Sequence, residues 1–150
     1  MSVLETFKNL SGSIYLDGAI RKSAATDGFN GIDPATEEVT GELAYAKIEE
    51  VDEAVANAHR AQKIWERMNG LKRSEELHEV AHKLRAMAPQ LAEALTREMG
   101  KPYKESFDEV EWTATAFNYY AEISRHEGGR LVGPVVDGQT HLVTKHPLGT

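Results

Sequence analysis

Apolar residues recur at three- and four-residue intervals through most of residues 49–126, the spacing of helices with one buried face. The longest of these helices is predicted to start at Pro102 and to end near His126, before Gly128-Gly129. Phe107, Val110, Ala114, Phe117 and Ala121 form its stripe, with Trp112, Ala116, Tyr119, Tyr120 and Ile123 on the flanks. A helix apolar on more than one side expects neighbours on more than one side. The earlier elements are therefore predicted to pack around it. Gly100 closes the preceding helix, since glycine accepts the left-handed dihedral found there. Pro102 suits a first helical turn, where its missing N–H costs nothing.

The first helix is predicted from about Glu49 to Glu66, with Val51, Ala54, Val55, Ala58, Gln62 and Trp65 as its stripe. Glu49, Glu50 and Asp52 crowd its first turns, where negative charge suits the helix dipole. Lys47 stands where a capping hydroxyl is usual. Asn69-Gly70 breaks the chain, and Leu71 to Met87 forms the next helix on Leu77, Ala81, Leu84 and Ala88. Pro89 interrupts, and Leu91, Leu95 and Met99 carry a third stripe.

Strand signals flank this helical block. Ser13 to Leu16, Asp17-Gly18 and Ala19 to Arg21 read as a hairpin, because Asp-Gly supplies the positive φ angles of a two-residue turn. Lys22 to Asn30 reads as a polar connection leading to a turn at Asp33-Pro34-Ala35-Thr36. Val39 to Ala46 is a predicted strand. A second hairpin is predicted from Arg130 to Val136 and Gln139 to Lys145, turning at Asp137-Gly138.

The length of 150 residues suits a single domain. A net charge of −7 disfavours a nucleic-acid binder, which would carry a basic face. No apolar run approaches the roughly 20 residues of a membrane span, and the first residues hold no secretory core. The chain has no cysteine, which excludes a disulfide, a thiolate metal site and a cysteine nucleophile within it. A cytoplasmic location is the expectation.

His78-Glu79-Val80-Ala81-His82 spells H-E-x-x-H, which on a helix places two metal-ligating imidazoles one turn apart beside a carboxylate base. A zinc hydrolase using His78, Glu79 and His82 is one reading, with Glu98, Glu105 or Glu109 as conceivable third ligands. Against it, the two histidines lie off the apolar face and no further histidine completes the pattern, so a solvated helix face is favoured. His59, His126, His141 and His146 are single residues without partners in sequence. Asp108 and Glu111 lie three apart and could form a carboxylate pair, although a solvated face is the simpler reading. Trp112 beside them is a packing residue or lines a pocket. Neither G-x-G-x-x-G nor G-x-x-x-x-G-K-[ST] occurs.

Glu98, Gly100-Lys101-Pro102 and Tyr119-Tyr120-Ala121 together resemble the aldehyde dehydrogenases. So do Tyr15-Leu16-Asp17-Gly18, Asp33-Pro34-Ala35-Thr36 with Glu38-Val39, Glu50 to Val55 with Trp65, and His146-Pro147-Leu148-Gly149. Their order and spacing carry the resemblance from about residue 13 onward. It implies an α/β fold, here the N-terminal hairpin and helices of the cofactor-binding domain plus the start of a bridging, oligomerisation hairpin. Residues 1–128 would be the helical part, 129–147 the hairpin and 148–150 the start of the dinucleotide-binding sheet. The whole protein would oxidise an aldehyde to a carboxylic acid with NAD or NADP. This chain would be its N-terminal third, with the nucleophilic cysteine, the general-base glutamate and the cofactor-binding residues all beyond residue 150. No catalytic or cofactor-binding residue is expected here. By the same resemblance, Ile32 and Glu98 would hold a monovalent cation, and Trp112 and Asp108 would line the substrate entrance. The hairpin over 130–146 would join subunits into a homodimer or homotetramer. A non-catalytic truncated homologue acting as an oligomerisation module is the alternative.

Overall fold

The structure is a computed structural model that describes residues 2–126 and 128–150. In chain order its elements are α1 (Val3–Leu10), β1 (Ser13–Leu16), β2 (Ala19–Lys22), β3 (Gly28–Ile32), β4 (Val39–Ala44) and α2 (Ile48–Arg67). They continue with α3 (Gly70–Ala86), α4 (Ala88–Met99), α5 (Tyr103–His126), β5 (Arg130–Val132) and β6 (His141–Val143). The strands pair as three antiparallel hairpins, β1–β2, β3–β4 and β5–β6. Helices with small antiparallel sheets make this an α/β chain.

The core lies where α3 and α4 meet α5, and it is built from small side chains. Ala81, Ala88, Ala92, Ala114 and Ala121 are sealed from solvent, as are Ser74 and Ser106. Larger residues such as Leu77, Leu84, Leu95, Phe107 and Phe117 are half-buried around them. Helices α3 and α5 run antiparallel, with Gly70 at Ser124 and Arg85 at Glu111. A Cβ on Gly70 would lie 2.2 Å from the Ser124 carbonyl oxygen. The Ser124 hydroxyl donates to the Gly70 carbonyl at 3.0 Å. Asn69, predicted to break the chain, caps α3 by accepting from the Lys72 N–H at 2.9 Å.

The predicted stripe of α5 does face the core, through Val110, Ala114 and Ala121. Its flanks do not. Trp112 is 76% exposed, and Tyr119 and Tyr120 are each 62% exposed. The expectation that earlier elements would surround α5 is therefore not met among the described residues. Helix α2 explains the difference: its single buried residue is Glu50, and Val51, Val55 and Ile64 of its apolar side are exposed.

Glu50 also supplies the missing cap of α2. Its carboxylate accepts from the Lys47 N–H at 2.9 Å, the Ala24 N–H at 2.9 Å and the Ser23 hydroxyl at 2.8 Å. This residue joins the segment after β2 to the start of α2. A second tie is the Arg21 guanidinium on the Glu53 carboxylate, at 2.6 and 3.4 Å. The N–H groups of Ala24 and Lys47, with the Ser23 hydroxyl, hold the Glu50 carboxyl below the usual carboxylate range.

The first hairpin forms as predicted, with Asp17 at φ 50 and Gly18 at φ 80. Two other expectations need correction, and one element was not anticipated. Residues 28–30, read as part of a polar connection, belong to β3 and pair with Ala44, Leu43 and Glu42 of β4. Gly28, Asn30 and Gly31 are poor strand formers alone, so the strand exists through its partner. The second hairpin is shorter than predicted, because pairing stops at Val132 and resumes at His141. Pro134 lacks the donor that a longer ladder needs, and Val135 is exposed. Helix α1 was not signalled by the apolar pattern. Ser2 and Glu5 cap it reciprocally, at 2.7 and 3.2 Å.

Two outcomes test this packing. Gly70→Ala should lower the unfolding free energy in urea by about 1–3 kcal/mol, because the new methyl overpacks the seam against backbone. For Glu50, a carboxyl depressed on folding stabilises at and above neutral pH, and that contribution is lost as pH falls through its folded value. Glu50→Gln should therefore melt below the wild type at neutral pH, with the gap closing in acid; a gap independent of pH would contradict the assignment.

Candidate functional site

Two turns, one after β3 and one after α4, meet at the centre of the site. In the first, Asp33 is buried and its carboxylate accepts from the N–H groups of Ala35 at 2.9 Å and Thr36 at 3.4 Å. The Asp33 N–H donates to the Glu38 carbonyl at 2.9 Å, which closes the turn back onto β4. In the second, Gly100 takes the left-handed conformation at φ 74, and its N–H donates to the Thr96 carbonyl at 2.8 Å. The two turns touch, since a Cβ on Gly100 would lie 2.7 Å from Pro34 Cγ. Arg97 reinforces the contact, 3.9 Å from Asp33 and 3.0 Å from Glu93.

Ile32 stands just before the first turn and Glu98 just before the second. The structure brings both to one cleft of about 570 Å³, whose apolar wall includes Phe7, Leu10, Phe29 and Leu43. Thr40 and Ser11 add hydroxyl oxygens to its lining, and Glu98 adds a carboxylate. Hard oxygen donors of this kind suit a hard cation. Nothing in the sequence spacing alone joins positions 32 and 98; the contact of Pro34 with Gly100 does so.

Asp108 and Trp112 lie elsewhere, one turn apart on the exposed side of α5, and neither lines this cleft. The sequence pair Asp108–Glu111 is not a carboxylate pair. Glu111 turns toward α3, accepting from Arg85 Nε at 3.0 Å, and Arg85 also donates to the Thr115 hydroxyl at 3.3 Å.

The H-E-x-x-H stretch is on α3, but its parts face different ways. His78 faces α5, with Nδ1 3.0 Å from Asn118 Oδ1 and Nε2 2.7 Å from Glu122 Oε1. Glu79 pairs with Lys83 at 3.4 Å, and His82 is exposed. Among the described residues, no three His, Cys, Asp or Glu side chains are grouped to hold a metal ion. The zinc reading of His78, Glu79 and His82 thus gives way to a solvated helix face, on which His78 also makes a partly exposed contact with α5. The partners Asn118 and Glu122 were missed because they lie a whole helix away in sequence.

Comparison with known proteins agrees with these motifs. The profile of the Aldehyde dehydrogenase family matches residues 20–150. The chain is 30% identical over 142 residues to the mitochondrial succinate-semialdehyde dehydrogenase of Arabidopsis thaliana, covering 95% of this chain and 26% of that protein. It is 40% identical over 125 residues to the NADP-dependent glyceraldehyde-3-phosphate dehydrogenase of Streptococcus equinus, covering 77% of this chain and 25% of that protein. Among solved structures, a point mutant of betaine aldehyde dehydrogenase from Staphylococcus aureus, in complex with NAD+, matches with a TM-score of 0.86 and 25% identity. That match covers 98% of this chain and 30% of the other. HpcC from Thermus thermophilus matches with a TM-score of 0.82 and 28% identity, over 89% of this chain and 26% of that one. The chain spans about a quarter of the length of the curated relatives it matches. With its motifs in the expected order on a fold shared over nearly its whole length, the chain belongs to the aldehyde dehydrogenase family.

Proposed function

We propose that this chain is the N-terminal part of an NAD(P)-dependent aldehyde dehydrogenase that oxidises an aldehyde to a carboxylic acid. The observation that carries the reading is the fold match over 98% of the chain to a dehydrogenase solved with NAD+. The exposed apolar sides of α2 and α5 support it, since surface of that kind is normally covered by further protein. Residues 1–128 form the helical part of the cofactor-binding domain, 129–147 the bridging hairpin and 148–150 the entry to the dinucleotide-binding sheet.

The residues of this chain do not fit the nicotinamide cofactor. A dinucleotide lies at the carboxyl ends of parallel strands, beside a glycine-rich turn. The described sheets are antiparallel hairpins, and the chain has no such glycine motif and no cysteine. No step of the oxidation is derived from these residues. Their part is support. Ile32 and Glu98 hold a monovalent cation that ties the β3–β4 turn to α4, and Asp108 and Trp112 line the approach of the aldehyde. Leu131 and Leu142 form an exposed cross-strand pair on a hairpin with open edges. Such an edge favours pairing with another subunit, so the protein assembles as a homodimer or homotetramer. No helix among the described residues is long and apolar enough to cross a membrane, and a cytoplasmic location goes with this reading.

Two experiments test it. The protein encoded by the whole reading frame should reduce NAD+ or NADP+ when given aldehydes, while the 150-residue chain alone should not. A reading frame that ends at Thr150 would leave the oligomerisation module instead. For the cation, replacing potassium or sodium salts by a bulky organic cation at equal ionic strength should lower the melting temperature of the wild type. Glu98→Gln should abolish that difference; an unchanged difference would remove Glu98 from the site.

A further inference from the structure

His78 is left over by the function proposed above. Its ring lies between α3 and α5, half-buried, with an oxygen acceptor on each nitrogen: Asn118 Oδ1 at 3.0 Å and Glu122 Oε1 at 2.7 Å. A neutral imidazole carries one N–H and can donate only once, whereas the imidazolium donates twice. Two acceptors therefore select the doubly protonated ring. Glu122 is shared, because its second oxygen lies 4.0 Å from Arg125 on its own helix. The charges acting on the ring both come from α5, with Glu122 favouring the proton and Arg125 opposing it. On α3 itself, Glu79 is drawn to Lys83, while Glu75 and His82 are exposed.

We propose that His78, Asn118 and Glu122 form a proton-operated clasp between α3 and α5, closed when the imidazole carries both protons and loosened when it carries one. On loss of the Nδ1 proton, a lone pair would face Asn118 Oδ1, so the amide must turn to offer its N–H. Glu122 then loses its charged partner across the seam and keeps Arg125. The clasp sits in the last two turns of α5, beside the Ser124–Gly70 contact and just ahead of β5.

The hydrogen bonds to Asn118 and Glu122 raise the imidazole above its ordinary value, against a smaller opposing effect of burial. A group raised on folding stabilises below its unfolded value, and that contribution is lost as pH rises through the folded one. The clasp is therefore closed in mild acid and opens toward alkaline pH.

Histidine C2-hydrogen exchange, read by mass spectrometry on the intact protein, gives the titration midpoint of each imidazole without any substitution. The His78 midpoint should lie above that of free histidine and should fall in Glu122→Gln. The wild type should melt above Glu122→Gln at about pH 5.5, and that lead should shrink by about pH 9, on either side of the ordinary imidazole range. In a His78→Gln background, the effect of Glu122→Gln should no longer depend on pH. A wild-type midpoint at or below that of free histidine, or a lead that stays constant with pH, would overturn the clasp. The wild-type midpoint decides the matter even if the variants fail to fold.

Discussion

Close approach of α3 to α5 is the constraint on which the rest depends. Where Gly70 meets the Ser124 carbonyl there is no room for a methyl group. The sealed positions along the helix contacts are alanine and serine. Small side chains bring the backbones near enough for dispersion contacts along the whole seam, at little cost in side-chain entropy. With the two helices fixed at this separation, longer groups at the seam's edge can reach across it. Arg85 reaches Glu111 and His78 reaches Glu122. Such ion pairs are partly solvated and contribute modestly; they set register more than stability.

Buried carboxylates organise the parts that the helical core does not cover. Asp33 collects the N–H groups of its own turn, and Glu50 collects those of Ala24 and Lys47. Each carboxylate gathers backbone donors that no strand or helix ladder uses. Asp33 thereby shapes the turn that presents Pro34 to Gly100, and Glu50 fixes where α2 leaves the hairpins. The cleft at Ile32 and Glu98 follows from the first of these arrangements and needs no dedicated element of its own.

Membership of the aldehyde dehydrogenase family gives this architecture its context. The chain spans about a quarter of the length of the curated relatives it matches, and its own residues include no thiol. Its described residues supply a helical seam, tight turns and three small antiparallel hairpins. Large apolar side chains on α2 and α5 remain exposed beside a core of small ones, an inversion of the usual order.

Local chemistry was legible in the sequence. The three-to-four spacing located α2 to α5, Asp17-Gly18 located the first hairpin turn, and Gly100 located a left-handed helix end. These depend on interactions within a few residues, so composition and spacing suffice. The motifs around Asp33-Pro34 and Gly100-Lys101-Pro102 were equally readable, but their contact was not. Only the tertiary structure decided that β3 exists, that α2 leaves the flanks of α5 uncovered, and that His78 faces Asn118 and Glu122 instead of a metal. In each case the partner is remote in sequence, and the outcome turns on which surfaces the close-packed seam leaves within reach.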